Sequence, residues 1–408
     1  MSRLTVALVS EHASPLAVLG GPDSGGQNVH VAALATELGR LGCDVTVYTR
    51  RDAACLPLRQ PYAPGVVVEH VDAGPPAPIP KDELPPHMPR FADVLRSRWL
   101  SRPPDVVHSH FWMSGWAGLT AARAVGVPVV QTFHALGAVK RRHQGSADTS
   151  PTMREGAERH LALSCDAIVA TCADEVRELV ALGADRHRLH VVPCGIDPVL
   201  FSASAGPPPH GRNGCAARIV AVSRLVPRKG LADAVAALRD VPGAELVIAG
   251  GPPRERLGDD PEACRLRSVA ATAGVADRVT LLGGLDRADV PRLLRSADVV
   301  VCPPWYEPFG IVPLEAMACG VPVVGTAVGG LLDTVVDGVT GLLVAPRRPR
   351  ELGRALSALL DDPARRELIG RTAARWVRSR FTWAGVAQST LQVYDGVLNQ
   401  AGTRRVPA

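Results

Sequence analysis

Val299-Val-Val-Cys302-Pro-Pro-Trp-Tyr-Glu307-Pro-Phe-Gly-Ile-Val-Pro-Leu-Glu315-Ala-Met-Ala-Cys-Gly-Val-Pro-Val-Val-Gly325 is the stretch that decides the fold. Asp298 to Cys302 reads as a buried parallel strand, since after Asp298 it runs Val-Val-Val-Cys without a polar break. The loop Pro303 to Gly310 would sit at that strand's carboxyl end, and a helix begun near Pro313 would aim its amides and positive dipole at whatever binds there. Such an end can seat a diphosphate. Glu307 and Glu315 are seven residues apart in the gap, so a loop acid and a helix acid can each accept hydrogen bonds from a hydroxyl-bearing ring. Two isolated glutamates would read as a loop acid and a helix-capping acid; the Pro-Phe-Gly between them and the Gly329-Gly330 beyond change that reading.

Outward from this segment, short Val-rich runs alternate with helical stretches. Arg218 to Val222, Glu245 to Ala249, Arg278 to Leu282, Val321 to Gly325 and Gly341 to Val344 complete one set of strands. Leu4 to Val9, Asp44 to Thr49, Val66 to Val71, Asp105 to His110, Val127 to Thr132, Asp166 to Thr171 and Leu189 to Val192 form another. Between the first two of these, Val31, Leu34, Leu38 and Leu41 fall at helical spacing and Gly42 ends the helix, which makes a β-α-β unit. Alternation of this kind predicts an α/β fold of two doubly wound Rossmann-like domains facing an interdomain cleft. The expected boundaries are residues 1–202 and 216–383, joined by a Pro- and Gly-rich linker over 203–215, with a last amphipathic helix over 384–400.

A length of 408 residues agrees with two cores. No apolar run approaches the roughly 18 to 20 residues needed to cross a bilayer. The formal charge of +5 is mild and is not gathered into basic blocks interleaved with aromatics, so nucleic acid is not an expected partner. Nine scattered cysteines contain no C-x-x-C pair, and no leader precedes the first strand; a reducing cytoplasm is expected. The expected partners are small-molecule substrates and at most a second copy in a homodimer, without stable membrane insertion.

Two further segments carry chemistry. Ser223-Arg224-Leu-Val-Pro-Arg-Lys229-Gly230 follows the first strand of the second domain, and Arg224 and Lys229 are placed to stabilise a departing diphosphate without a metal. Gly20-Gly21-Pro-Asp-Ser-Gly25-Gly26-Gln-Asn28 joins the first strand to the first helix with small residues that permit close approach to phosphate or sugar. It lacks G-x-G-x-x-G, and the second strand ends in Arg50-Arg51-Asp52 without a clear ribose-binding acid, which disfavours a nicotinamide cofactor. His108 and His110 lack a third ligand at metal-binding spacing and read as structural.

Together these residues resemble the retaining GT-B glycosyltransferases of family 4, whose E-x7-E motif corresponds to Glu307 and Glu315. The likeness covers nearly the whole chain. It is strongest toward the inositol-phosphate N-acetylglucosaminyltransferases of mycothiol synthesis and extends to the sucrose-phosphate synthases. The resemblance implies that Arg224 and Lys229 bind the donor diphosphate, and Glu315 the ribose. It assigns Glu307 and the backbone from Phe309 through Gly310 and Ile311 to Val312 to the donor sugar, with Gly25 and Gly26 on the donor side as well. His134 would act near the reaction centre, and His134, Arg224, Lys229 and Glu307 form the implied catalytic set. Retention by internal return, with the donor phosphate taking the acceptor proton, requires neither a covalent nucleophile nor a cofactor; the substrate would be a UDP-sugar.

Acceptor-binding positions match Asn28, Lys81, Phe111, Ala135 and Arg154, with Phe111 and Ala135 standing where the mycothiol enzymes carry hydroxyls. Each lost bond to a charged group is worth about 1.5 to 3 kcal/mol. A cyclitol or sugar, phosphorylated or not, is therefore one expectation. A second is an antibiotic-pathway transferase using a GDP- or other nucleotide sugar with an aminocyclitol or thiol acceptor. A nucleotide-sugar epimerase of the same fold and a two-domain sugar-phosphate binding protein are the remaining alternatives.

Overall fold

The structure, a computed structural model, describes residues 3–16, 25–203 and 214–405. Two compact units form. Among described residues the first holds 3–16, 26–193 and 383–405, and the second holds 25, 194–203 and 214–382.

The first unit contains β1 (Thr5–Val9), β2 (Asp44–Arg50), β3 (Arg59–Ala63), β4 (Val66–Val71), β5 (Val106–His110), β6 (Val129–Thr132), β7 (Ala167–Ala170) and β8 (Leu189–Val191). They lie in the order β3-β4-β2-β1-β5-β6-β7-β8, with every pairing parallel except β3 against β4. The unexpected β3 is an edge strand. Pro61 lies within it, and only an edge strand tolerates a missing ladder donor; its largely uncovered faces explain why no apolar run marks it.

The second unit contains β9 (Ala217–Val222), β10 (Ala244–Ala249), β11 (Val279–Gly283), β12 (Val299–Cys302), β13 (Val323–Thr326) and β14 (Gly341–Val344), all parallel, in the order β11-β10-β9-β12-β13-β14. Successive residues serve opposite faces. Ile219, Leu246 and Val299 enter one buried cluster, while their neighbours Val220, Val247 and Val300 enter the other. Helices on both faces thus account for strands that are apolar throughout. The order reverses between β9 and β12, and in doubly wound sheets ligands bind beyond the carboxyl ends at such a switch.

Residues 194–202, expected in the first domain, pack with the second. The Ile196 amide donates to the Phe381 carbonyl at 2.8 Å, and Ile196 and Phe201 are fully buried in the second unit's core. Most of the expected linker, 204–213, lies outside the described residues. The final helix is Trp383–Arg405, longer than the expected 384–400, and it packs on the first helix, Gly26–Arg40. No helix among the described residues is long and apolar enough to cross a membrane.

Candidate active site

In the second unit the loops after β9 and β12 are locked together. Gly230 has φ 67°, and a Cβ there would overlap the Pro303 carbonyl, so only glycine lets the two loops touch. Trp305 donates its backbone amide to the Arg228 carbonyl at 2.8 Å and its indole N–H to Asp233 at 3.1 Å, beneath the Arg347 guanidinium 4.1 Å from its ring centroid. On the other side the Gly330 amide donates to the Glu307 carbonyl at 2.8 Å, and a Cβ on Gly329 would strike the same carbonyl. Lys229 and Glu307, 78 residues apart, consequently meet as an ion pair.

Burial pushes the Glu307 carboxyl up, but the Lys229 ammonium and the Arg228 and Arg224 guanidiniums outweigh it and hold it below the usual range. Lys229 shifts down, mainly from burial and secondarily from the two arginines, against the pull of Glu307. Burial and the nearby Arg224 bring Arg228 down to about 10. The sequence singled out Arg224 and Lys229; the structure adds Arg228 as a third cation in the same field. Three cations around one acid leave an excess positive charge, the electrostatic complement of a diphosphate.

The helix at the end of β12 is Ile311–Ala318, starting two residues before the expected Pro313. Gly310, at φ 73°, makes the left-handed turn into it, and Pro313 falls in the first turn, where its missing N–H costs nothing. Phe309 precedes this cap and Val312 follows Ile311 in the first turn. Glu315 is fully buried on this helix. Arg287 donates to Oε1, while Oε2 is buried without a hydrogen-bond partner. Burial raises the Glu315 carboxyl above its ordinary range and Arg287 only partly offsets that. Arg287 itself lies over the Phe201 ring at 4.6 Å. Arg287 was missed in the sequence, where the signal would have been a basic residue shortly after the end of β11.

Apart from Gly25, which groups with the second unit, the first unit assembles the other expected residues. Phe111 (φ 82°) follows β5 and His134 (φ 62°) follows β6, both in backbone regions that non-glycine residues seldom adopt. Lys81 Nζ and Arg154 Cζ stand 5.6 and 5.0 Å from the Phe111 ring centroid, and Arg154 donates to the Ala135 carbonyl at 2.8 Å. Lys81, Phe111, Ala135 and Arg154 therefore form one cluster. Arg154 is buried and also paired with Glu158 at 2.7 Å. Gly25 immediately precedes the first helix, Gly26 begins it, and the buried Asn28 in its first turn donates to the Ser14 carbonyl at 3.1 Å. Gly20 and Gly21 lie outside the described residues.

Behind His134 lies a buried imidazole cluster. His134 Nε2 is 2.9 Å from His110 Nδ1, and His30 packs edge-on against His134 and against Trp383 of the final helix. His108 is held by Tyr394 at 2.7 Å and Thr132 at 2.9 Å, so both its ring nitrogens are occupied. Burial lowers His30 to about 4 and His108 to about 3, and lowers His110 and His134 well below the ordinary value, so all four imidazoles are neutral near pH 7. Among the described residues no group of three or more His, Cys, Asp or Glu is placed to hold a metal.

Residues 207–376 match the family of group 1 glycosyl transferases, and residues 24–200 match Glycosyltransferase Family 4. The chain is similar to the D-inositol 3-phosphate glycosyltransferase of Acidothermus cellulolyticus, 39% identical over 98% of this chain and 91% of that protein. It is 39% identical to the enzyme of the same name from Nocardia farcinica, over 96% of this chain and 89% of that one. Among solved structures, a sucrose-phosphate synthase of Thermosynechococcus elongatus superposes with a TM-score of 0.89 at 30% identity, covering 98% of this chain and all of that one.

Proposed function

Because the chain belongs to the group 1, family 4 glycosyltransferases, with their GT-B fold of two Rossmann-like domains, we propose that it transfers a sugar from a UDP-sugar to a small hydroxyl-bearing acceptor with retention of configuration. The observation that carries this reading is the meeting of Lys229 and Glu307 beside Arg224 and Arg228, with Glu315 holding one unpartnered buried oxygen on the adjoining helix. The cations would neutralise charge as it develops on the departing diphosphate, the interaction that lowers a barrier most when it is absent from the ground state. The orphaned oxygen of Glu315 would accept a ribose hydroxyl, and Glu307 with the backbone from Phe309 to Val312 would bind the donor sugar. His134 would contact that sugar as an uncharged imidazole.

The second unit is thus the donor-binding domain, and the first, with Asn28, Lys81, Phe111, Ala135 and Arg154, binds the acceptor. The relatives' names support a cyclitol acceptor, free or phosphorylated. Nine cysteines without a disulfide suit a cytoplasmic setting. UDP, GDP and dTDP compared in thermal-shift measurements test the donor. At a hundred times Kd a specific nucleotide stabilises by about 2.7 kcal/mol. UDP is expected to act this way in the native chain and to lose the effect in Glu315→Ala; no stabilisation by any of the three would sink the reading.

A further inference from the structure

In the second unit three cations surround one acid, but the cluster around Phe111 in the first unit is balanced differently. Arg154 is buried, and its fork is committed within the protein. Nε donates to Glu158 at 2.7 Å, Nη1 to Ser150 Oγ at 3.3 Å and Nη2 to the Ala135 carbonyl at 2.8 Å. Burial raises the Glu158 carboxyl against the pull of Arg154 and of the Gly137 amide, which donates to its other oxygen at 2.8 Å. With both oxygens accepting, Glu158 forms an ion pair with Arg154.

Lys140 repeats the pattern. Its ammonium stands 2.9 Å from Asp148 and donates to the same Ser150 hydroxyl at 2.8 Å. Burial acts to raise Asp148, but Lys140 and Ser150 outweigh it and hold that carboxyl below its ordinary range. Thr149, in the same loop, donates to Asp82 at 2.7 Å and fastens the loop to the turn Lys81–Glu83. Among the described residues of this cluster, Lys81, Lys140 and Arg154 therefore stand with Asp82, Asp148 and Glu158, and the charges cancel.

A phosphate monoester carries about 1.5 to 2 negative charges near pH 7. A cluster whose cations are already balanced does not offset the desolvation of such a group. Phe111 adds a ring and no donor. An uncharged polyol asks only for hydrogen bonds, and these remain: Ser150 Oγ accepts from two cations and keeps its own proton to donate, and the Ala135 carbonyl keeps a second lone pair.

We propose that the acceptor is an uncharged cyclitol or related polyol, not its phosphate monoester, and that the pairing of Arg154 with Glu158 and of Lys140 with Asp148 sets this preference. The choice rests on the transfer reading above and narrows its acceptor to one class.

The test titrates the full chain, in the presence of UDP, with myo-inositol and with D-inositol 3-phosphate in a calorimeter. In the native chain myo-inositol is expected to bind at least about tenfold more tightly, with a Kd that added NaCl leaves unchanged because no net charge is engaged. Asp148→Asn releases Lys140 from its acid and should shift the ratio of the two affinities about tenfold toward the phosphate. Equal affinities in the native chain, or a preference for the phosphate, overturn the proposal without needing the variant to fold. An unchanged ratio in a folded Asp148→Asn overturns the ion pairing as the cause. Binding of neither compound overturns the acceptor class and leaves the transfer reading standing where UDP still raises the melting midpoint; absence of that UDP effect sinks the transfer reading, and the acceptor class with it.

Discussion

Arg287 grips one oxygen of Glu315 and leaves the other oxygen of the same carboxylate buried and unpartnered. Glu315 has a raised folded value, so its contribution to stability is complete below the ordinary carboxyl range and is lost as pH rises through the folded value. A ribose hydroxyl donating to Oε2 favours the ionised form. UDP affinity should therefore strengthen as pH rises through that same window, and Arg287→Ala should displace the window to higher pH. Calorimetric titrations from pH 5 to 8 would show a pH-independent affinity if Glu315 does not meet the ribose.

Lys229 and Glu307 are each less than one-fifth exposed, so removing one partner strands the other charge. Lys229→Met or Glu307→Gln alone should cost about 3 kcal/mol in urea unfolding, and the double substitution should cost less than the sum of the two. Transfer should fall about 10² to 10³-fold in each single variant. Additive stability losses would mean that the pair is not coupled.

Four buried neutral imidazoles make the first unit acid-sensitive. Their folded values are depressed, so the unfolded chain binds more protons, and stability must fall as pH drops below the ordinary histidine value of 6.5 toward the about 4 of His30 and about 3 of His108. Each imidazole contributes a slope of about 1.4 kcal/mol per pH unit in that window. Unfolding midpoints at pH 7, 6 and 5 should decline, and His30→Asn should flatten the decline.

Tyr394 anchors the final helix to His108 on β5. Tyr394→Phe keeps the ring and removes the hydroxyl, leaving His108 Nδ1 unsatisfied in a dry core. A loss of about 1 to 3 kcal/mol is expected. Hydrogen exchange should quicken first in the Trp383–Arg405 helix, and unchanged protection there would count against the anchor.

Gly329→Ala places a Cβ against the Glu307 carbonyl in a backbone at φ 48°. The Glu307 loop has to move, so donor binding should weaken more than global stability does. Thermal shifts with and without UDP separate the two effects, and equal losses in both would show a merely structural glycine.

The strands, the two-domain α/β organisation and the placing of Glu307 in the loop and Glu315 on the helix after β12 were legible in the linear chain. Buried parallel strands must be apolar on both faces, and loops at their carboxyl ends use small residues where backbones approach closely. Edge strand β3 left no such trace, since neither of its faces is fully covered. Residues 194–202 joined the second unit through Ile196 and Phe201, side chains whose destination no local pattern specifies. Arg228 and Arg287 came only from the tertiary structure. A side chain's charge partner depends on where distant strand ends converge: Lys229 finds Glu307 across 78 residues because Gly230 and Gly329 let their loops close in. Sequence by itself determined which chemistry the chain carries; folding decided which acid faces which base, because ion pairing acts over ångströms and sequence separation does not measure them.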